Sequence, residues 1–387
     1  MRHIKQAASV VTVLILAGCG GGTHDDSAMQ GRVAAMVSFG DSLSDVGSYA
    51  VGTVKKLGGG RYTVNGPDAK NWTELIAARL NLPAPCAART GLDGDATLGF
   101  SIATTDHPEC TNYAQGGARV TNPVGPGNKA LGGGNALLGQ LTNPMIDQIN
   151  RHLTSTGGSF KGTELVTVFA GGNDIFANLT PLADGASAAG SAAGVETAAA
   201  PGATPEIIRA ATDAATLAYT QANAPVAVAT MATAANQLGG YVNNLMLAKG
   251  ATHVTVVNLP DVSLSPFGQA LDPATRAIVE NMVTTFNGTL QATLGVNTRL
   301  LYIDAYSTSR AQFAAPAQYG LGNVTRPACD LSRAKNLLGS ALVCTNDNLQ
   351  ADAKPNDAYA DTVHPTPYGY RLLADLVAAE MMKRGWL

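Results

Sequence analysis

Apolar residues are concentrated in five short runs that are rich in β-branched and aromatic side chains. Several of these runs are almost continuously apolar and do not alternate with polar residues. This pattern is typical of strands that are buried on both faces, as in a parallel sheet. The predicted strands are residues 33–39, 111–114, 164–170, 252–259 and 299–305.

Segments with apolar residues at helical spacing separate the predicted strands. The last of them begins at Thr366-Pro367, a capping residue followed by a proline that fits the first helical turn. The Ala-rich stretch 205–250 is expected to form two helices that are broken near Pro225, because a proline inside a helix removes a hydrogen bond. The other predicted helices cover residues 71–82, 143–153, 272–294 and 366–384.

Alternation of strands and helices predicts a right-handed, doubly wound α/β sandwich. Two stretches are interpreted as insertions into this fold. Residues 84–110 hold two cysteines, and residues 177–204 are mostly Ala, Gly, Ser and Thr. The second stretch has few large side chains, so it is predicted to be a mobile surface loop. Both insertions are expected to form walls of a pocket.

The N-terminus has the pattern of an export signal. Two basic residues precede about ten mostly apolar ones, a run too short to span a bilayer as a mature helix. The run ends in Leu-Ala-Gly-Cys at residues 16–19, which looks like a bacterial lipobox. We therefore predict a signal peptide over residues 1–18, lipidation of Cys19, and a flexible tether over residues 19–32 before a single domain at 33–387. An ordinary signal with a chance cysteine, and hence a secreted protein, is the alternative to an outer-membrane lipoprotein.

Composition and charge narrow the class of protein. The chain has 387 residues, is 45% hydrophobic and 14% charged, and carries a formal charge of −3. A chain of this length and hydrophobic content can bury a large core. No stretch carries a run of Lys or Arg, so a nucleic-acid partner is not expected. Nothing in the sequence indicates an oligomeric state.

Four cysteines remain when Cys19 is set aside. An even number in an exported chain predicts two disulfides, for which three pairings are possible. We favour the pairs that close the shortest local loops. No Cys/His spacing matches a zinc site. The predicted disulfides are Cys86–Cys110 and Cys329–Cys344.

Polar and glycine-rich residues follow the predicted strands, where sites gather in a doubly wound fold. Gly-Asp-Ser at 40–42 follows the first strand, Gln-Gly-Gly at 115–117 the second, and Gly-Gly-Asn-Asp at 171–174 the third. Each of these could be an ordinary tight turn. Alternatively, Ser42 is a nucleophile, and the Asn173 amide and a glycine N–H donate to an oxyanion.

A nucleophilic serine needs a base, and His364 is the best placed of the six histidines. Pro365 keeps His364 out of the helical region, so the segment is a stiff loop just before the last helix. Asp361, three positions upstream, can fold back to the imidazole Nδ1 and leave Nε2 facing the serine. The alternative is that Asp361 and His364 form a chance pair in a surface turn and have no catalytic role.

Taken together, these blocks resemble the GDSL or SGNH hydrolase superfamily, and within it the bacterial secreted esterases and lipases. The resemblance rests on four motifs that span nearly all of the predicted domain. It implies a three-layer α/β/α, flavodoxin-like sandwich with a central five-stranded parallel sheet, and no cofactor or metal. The matching blocks are FGDSLSD (39–45), NYAQGGA (112–118), GGND (171–174) and DTVHPT (361–366).

The resemblance also implies a role for each matched position. Ser42 would be the nucleophile, His364 the general base and acid, and Asp361 the group that orients His364. The oxyanion would be held by the backbone N–H groups of Ser42 and Gly117 and by the Asn173 side chain. Gly116 is the alternative to Gly117, since the two differ by one step of register.

The expected activity is hydrolysis of an ester or lipid through an acyl-enzyme. An acyltransferase with the same triad is a rival, because an alcohol could replace water as the acceptor. A non-catalytic surface lipoprotein on the same fold is a second rival. The chain contains no Gly-x-Ser-x-Gly sequence, the nucleophile motif of the α/β-hydrolases.

Overall fold

Six strands occur in residues 33–387, which are the residues that the computed structural model describes. Four of them pair in parallel and form the central sheet, and the other two form an antiparallel hairpin. The sheet has the spatial order first, fourth, fifth and sixth strand. The strands are β1 (Ala35–Gly40), β2 (Arg89–Asp93), β3 (Ser101–Asp106), β4 (Glu164–Phe169), β5 (His253–Val257) and β6 (Leu300–Ile303).

The α-helices of the described residues follow the strands in alternation. The predicted helices at 71–82, 272–294 and 366–384 are present with slightly shorter bounds. The helices are α1 (Gly52–Lys56), α2 (Trp72–Arg79), α3 (Gly133–Leu138), α4 (Met145–Ser155), α5 (Gly172–Ala198), α6 (Pro205–Tyr241), α7 (Pro266–Gln269), α8 (Pro273–Leu294), α9 (Ala305–Ala314) and α10 (Pro367–Lys383).

Helices cover both faces of the sheet. All six residues of β4 are buried, and their side chains point alternately to opposite faces. Helix α2 packs on α10, while α6 packs on α5 and α8. The largest core cluster contains side chains from all four sheet strands and from these helices. The predicted α/β sandwich is therefore confirmed, with a parallel sheet of four strands.

The prediction of a strand at 111–114, which would have completed a sheet of five strands, is wrong. Asn112 makes isolated parallel bridges to Ser38 and Ala87. The segment also hydrogen-bonds to the outer edge of β1, where the Tyr113 N–H donates to the Ser38 carbonyl at 2.8 Å. The Asn112 side chain accepts the N–H of Ala114 at 3.2 Å. The Gln115 N–H then donates to the Gly40 carbonyl at 3.1 Å, so the segment follows the edge of β1 through isolated bridges and does not form a regular strand.

The mobile loop predicted at 177–204 is also wrong, because most of it belongs to α5. Its small residues allow α6 to approach closely: a Cβ atom at Gly185 would lie 2.2 Å from the Tyr219 hydroxyl. Side chains that are too small to fill a loosely packed core thus allow two helices to pack closely. Helix α6 likewise continues through Pro225, where packing against α5 and α8 offsets the lost backbone hydrogen bond.

Both predicted disulfides are present, Cys86–Cys110 around the β2–β3 hairpin and Cys329–Cys344 in a second loop. The predicted insertion at 84–110 is therefore a disulfide-closed hairpin. Two disulfides are typical of an exported protein. The predicted signal peptide, the tether and Cys19 lie outside the described residues.

Among residues 33–387, no helix has the length and apolar character needed to cross a membrane.

His152 on α4 is a buried histidine inside an aromatic cluster. Its side chain is 2% exposed, and its ring centroid lies 4.6 Å from that of Phe160 and 5.7 Å from that of Phe39. Neither ring nitrogen has a hydrogen-bond partner among the described residues. Burial lowers the pKa of His152 to about 4, although the negative charge of Glu164 opposes the shift.

We predict that His152→Phe removes one source of acid instability. Below pH about 6.5 an unfolded chain protonates this imidazole while the folded protein does not, so wild-type stability falls until about pH 4. The free energy of unfolding of the wild type should therefore drop relative to the variant by about 3 kcal/mol between neutral pH and pH about 4. Urea denaturation at both pH values measures it. A difference that does not change with pH would contradict the assignment.

Candidate active site

Ser42 lies in the tight turn that follows β1. Strand β1 ends at Gly40, where a Cβ atom would lie 2.5 Å from the Phe169 carbonyl oxygen, so glycine allows the two strand ends to approach. The Gln148 side chain accepts the Gly40 N–H at 2.9 Å and donates to its carbonyl at 2.8 Å. Asp41 closes the turn by accepting the Leu43 N–H at 3.0 Å. The serine is thus held just beyond the carboxyl end of the strand.

Ser42, His364 and Asp361 form one hydrogen-bonded row. The distance between Ser42 Oγ and His364 Nε2 is 2.8 Å. On the other side of the ring, His364 Nδ1 lies 2.8 Å from Asp361 Oδ2 and 2.9 Å from Oδ1. The structure therefore brings together three side chains that the sequence separates by up to 322 positions.

Asp361 is buried but remains ionised. Burial acts to raise its pKa, but the neighbouring His364 and the N–H groups of Val363 and His364 outweigh burial and lower the pKa to about 2. Those two N–H groups donate to Oδ1 at 3.0 and 2.8 Å. The Ala341 N–H donates to Oδ2 at 2.8 Å. The carboxylate is therefore fixed in position and charged opposite the imidazole.

Asp41 has a different electrostatic environment. Burial raises the pKa of this carboxyl to about 7, although the Leu43 N–H and the charge of His364 oppose the shift. Its hydrogen bond from the Leu43 N–H gives this side chain a role in shaping the turn. Asp45 also shapes the turn, since its Oδ1 accepts the N–H groups of Gly47 and Ser48 at 2.8 and 2.7 Å.

The two candidate glycines differ in the use of their N–H groups. The Gly116 N–H donates to Asp45 Oδ2 at 2.9 Å. The Gly117 N–H has no partner within the described part of the chain. Gly117 has a φ of 77°, and a Cβ atom there would lie 2.2 Å from the Pro126 carbonyl oxygen. This arrangement favours Gly117 over Gly116 as a donor to a ligand.

Asn173 lies in the first turn of α5, at the end of β4. Its side-chain nitrogen donates one hydrogen bond to the Ala118 carbonyl at 2.9 Å, which leaves its second N–H free. The backbone N–H of Ser42 also has no partner among residues 33–387. Asn173, Ser42, Gly117 and His364 all line the same cavity.

The cavity has a volume of about 580 Å³ and a mostly apolar lining. The predicted pocket walls are wrong: among the described lining residues, none belongs to 84–110 or 177–204. The walls come instead from segments 126–140, 259–262 and 331–340. The apolar lining includes Leu43, Leu137, Leu138, Phe176, Leu259, Val262, Leu331, Leu337 and Leu338.

Tyr62 and the segment 331–340 are parts of the site that the sequence did not reveal. The Tyr62 ring packs against the His364 imidazole with a centroid distance of 4.8 Å. Neither lies near a recognisable motif, and only folding brings them to the cavity. In residues 33–387, no cluster of three or more His, Cys, Asp or Glu side chains is arranged to hold a metal.

A parallel α/β sheet with Ser, His and Asp in hydrogen-bond contact beyond its strand ends is the arrangement of a serine hydrolase. The sequence matches the family model described as GDSL-like Lipase/Acylhydrolase over residues 36–377. The chain therefore belongs to the GDSL-like lipase/acylhydrolase family, within the GDSL/SGNH hydrolase superfamily, and this membership supports ester hydrolysis. No curated protein matches the chain.

Proposed function

We propose that the protein is a serine esterase or lipase that cleaves carboxylic esters through an acyl-enzyme on Ser42. The observation that carries the proposal is the 2.8 Å distance between Ser42 Oγ and His364 Nε2. At this distance the imidazole can take the hydroxyl proton as the oxygen attacks a carbonyl. The apolar cavity beside Ser42 suits the hydrocarbon part of an ester or lipid.

In the first half of the reaction, Ser42 Oγ bonds to the ester carbonyl carbon and its proton moves to His364 Nε2. Asp361 keeps the Nδ1–H oriented and stabilises the imidazolium that forms. The bond between the carbonyl carbon and the alcohol oxygen then breaks. His364 returns the proton to the departing alcohol, and the acyl group remains on Ser42.

Three donors are positioned to stabilise the tetrahedral oxyanion. They are the backbone N–H groups of Ser42 and Gly117 and the free side-chain N–H of Asn173. Because they are fixed before the substrate arrives, their reorganisation costs little during the reaction. In the second half, water gives a proton to His364 and attacks the acyl carbon, and the acid leaves as Ser42 regains its proton.

We predict that Ser42→Ala abolishes both hydrolysis of p-nitrophenyl butyrate and covalent labelling by a fluorophosphonate. Ser44→Ala is the matched control. Ser44 lies two residues away, but its hydroxyl is buried and accepts a hydrogen bond from the Trp72 indole. That variant should keep both activities. Full hydrolysis by the Ser42 variant would contradict the mechanism, and an unlabelled wild type would favour a non-catalytic protein.

We predict that Asn173→Ala lowers kcat by about 10²–10³, because it removes a donor that acts on the transition-state oxyanion. Asn178→Ala is a control on the same helix, since its amide donates to the Asp174 carbonyl and does not line the cavity. Steady-state kinetics on p-nitrophenyl butyrate measure both variants. Equal losses in the two variants, or a loss confined to KM, would argue against an oxyanion role.

We further propose that the protein is exported and anchored by lipid on Cys19. The proposal is supported by the Leu-Ala-Gly-Cys sequence at residues 16–19 and by the two disulfides. Cells fed labelled palmitate should incorporate label into the wild type and retain it in the membrane fraction. Cys19→Ser should lose the label and leave that fraction. An unlabelled wild type would show that the anchor is absent.

A further inference from the structure

One wall of the cavity is formed by the loop between Cys329 and Cys344, which we call the disulfide loop. Of its side chains, Leu331, Leu337 and Leu338 give the cavity an apolar surface. Arg333 also lines the cavity and is exposed to solvent. The loop therefore combines an apolar surface with a cationic group at the solvent-facing part of the cavity.

The disulfide loop is fixed relative to the triad. The Ala341 N–H donates to Asp361 Oδ2 at 2.8 Å. The buried side-chain amide of Asn65 donates to the carbonyls of Ala341 and Cys344 at 3.1 and 3.0 Å. At the other end, the Cys329 N–H donates to the Ala360 carbonyl at 3.0 Å. Hydrogen bonds thus tie both ends of the loop to neighbouring backbone, and a group on the loop has a defined place beside Ser42.

Arg333 has no intramolecular role that would explain its charge. Across residues 33–387 its guanidinium makes no ion pair and no hydrogen bond. The nearby acid on the loop, Asp330, instead accepts the Ser332 N–H at 3.0 Å. The other ionisable side chains at the cavity surface include Asp41 and His364, which belong to the nucleophile turn and the triad. Arg333 is therefore the cation that the cavity leaves available to a ligand.

A free guanidinium beside an apolar surface fits one class of ligand. Its planar N–H donors match the oxygens of a carboxylate or a phosphate, with which it forms paired, charge-assisted hydrogen bonds. The leucines of the same loop suit a hydrocarbon chain. A substrate that satisfies both is an amphiphilic ester with an anionic group away from the scissile bond.

We propose that Arg333 is a specificity-determining residue that binds a phosphate or carboxylate carried by the ester substrate. This inference rests on the proposed esterase function and names the substrate class of that same site. The anionic group does not take part in acyl transfer, so its contact with Arg333 should stabilise the ground state and the transition state equally. Such uniform binding acts on KM and leaves kcat unchanged.

The test uses two matched pairs of substrates. Monooctanoyl glycerol and monooctanoyl glycerol phosphate place the anion on the alcohol side of the ester. p-Nitrophenyl hexanoate and the mono-p-nitrophenyl ester of adipic acid place it on the acyl side. The full-length wild type is compared with Arg333→Gln, Arg333→Lys and Lys335→Gln. Lys335 is the matched control, because it is an exposed cation on the same loop that does not line the cavity.

We predict that Arg333→Gln raises KM for the preferred anionic ester about tenfold, the size expected for one charge-assisted contact near solvent. The neutral partner should be unaffected in KM and kcat, and so should every reaction of the Lys335 variant. Arg333→Lys should retain part of the preference, because it keeps the charge and loses the planar donors. Raising the ionic strength should weaken the wild-type preference for the anion. The pair that responds shows whether the enzyme prefers a phosphate on the alcohol side or a carboxylate on the acyl side of the ester.

Two results would overturn the inference. One is a wild type that does not distinguish anionic from neutral esters in either pair. The other is an Arg333→Gln variant that changes both members of a pair equally, since that would indicate a structural role for the side chain. Failure of the esterase proposal is separate: an enzyme that hydrolyses the neutral esters by way of Ser42 retains the proposed function whatever Arg333 does.

Discussion

The parallel pairing of β1 with β4 is the constraint on which the site depends. The pairing places the last residues of the two strands, Gly40 and Phe169, directly opposite each other. Ser42 follows the first strand by two residues, and Asn173 follows the second by four. A nucleophile and an amide donor that lie far apart in the chain thus meet at one sheet edge, because parallel strands end on the same side.

Buried carboxylates then connect the loops that leave this edge. Asp45 accepts N–H groups from its own turn and from Gly116, and so joins the nucleophile turn to the glycine loop. Asp361 accepts N–H groups from its own segment and from Ala341, and so joins the triad to the disulfide loop. These loops have little regular structure of their own at this point, apart from a 3₁₀ turn at Ala341–Val343. A fixed site on such loops requires acceptors that are satisfied by several donors.

Local sequence patterns predicted the layers of the fold. The elements that differ from the prediction are those whose structure depends on long-range packing. Buried apolar runs identified all four sheet strands, because strand burial on two faces leaves a local signal. Residues 111–114 lie along the edge of β1 but make only isolated bridges to it, so they do not form a regular strand. Helix α5 was missed because its Gly and Ala residues are uninformative until a partner helix is in place, as at Gly185 against Tyr219.

The sequence by itself determined the chemical groups of the site, since Ser42, Asn173 and the Asp361–His364 pair stand in short motifs whose spacing limits local geometry. Tertiary structure decided which glycine N–H stays free, because only folding brings Asp45 to Gly116. It also decided that the disulfide loop, with Arg333, forms the cavity wall. The role of a residue can be predicted from the sequence when it depends on local backbone geometry. When the role depends on contact with a distant segment, it can be recognised only in the folded structure.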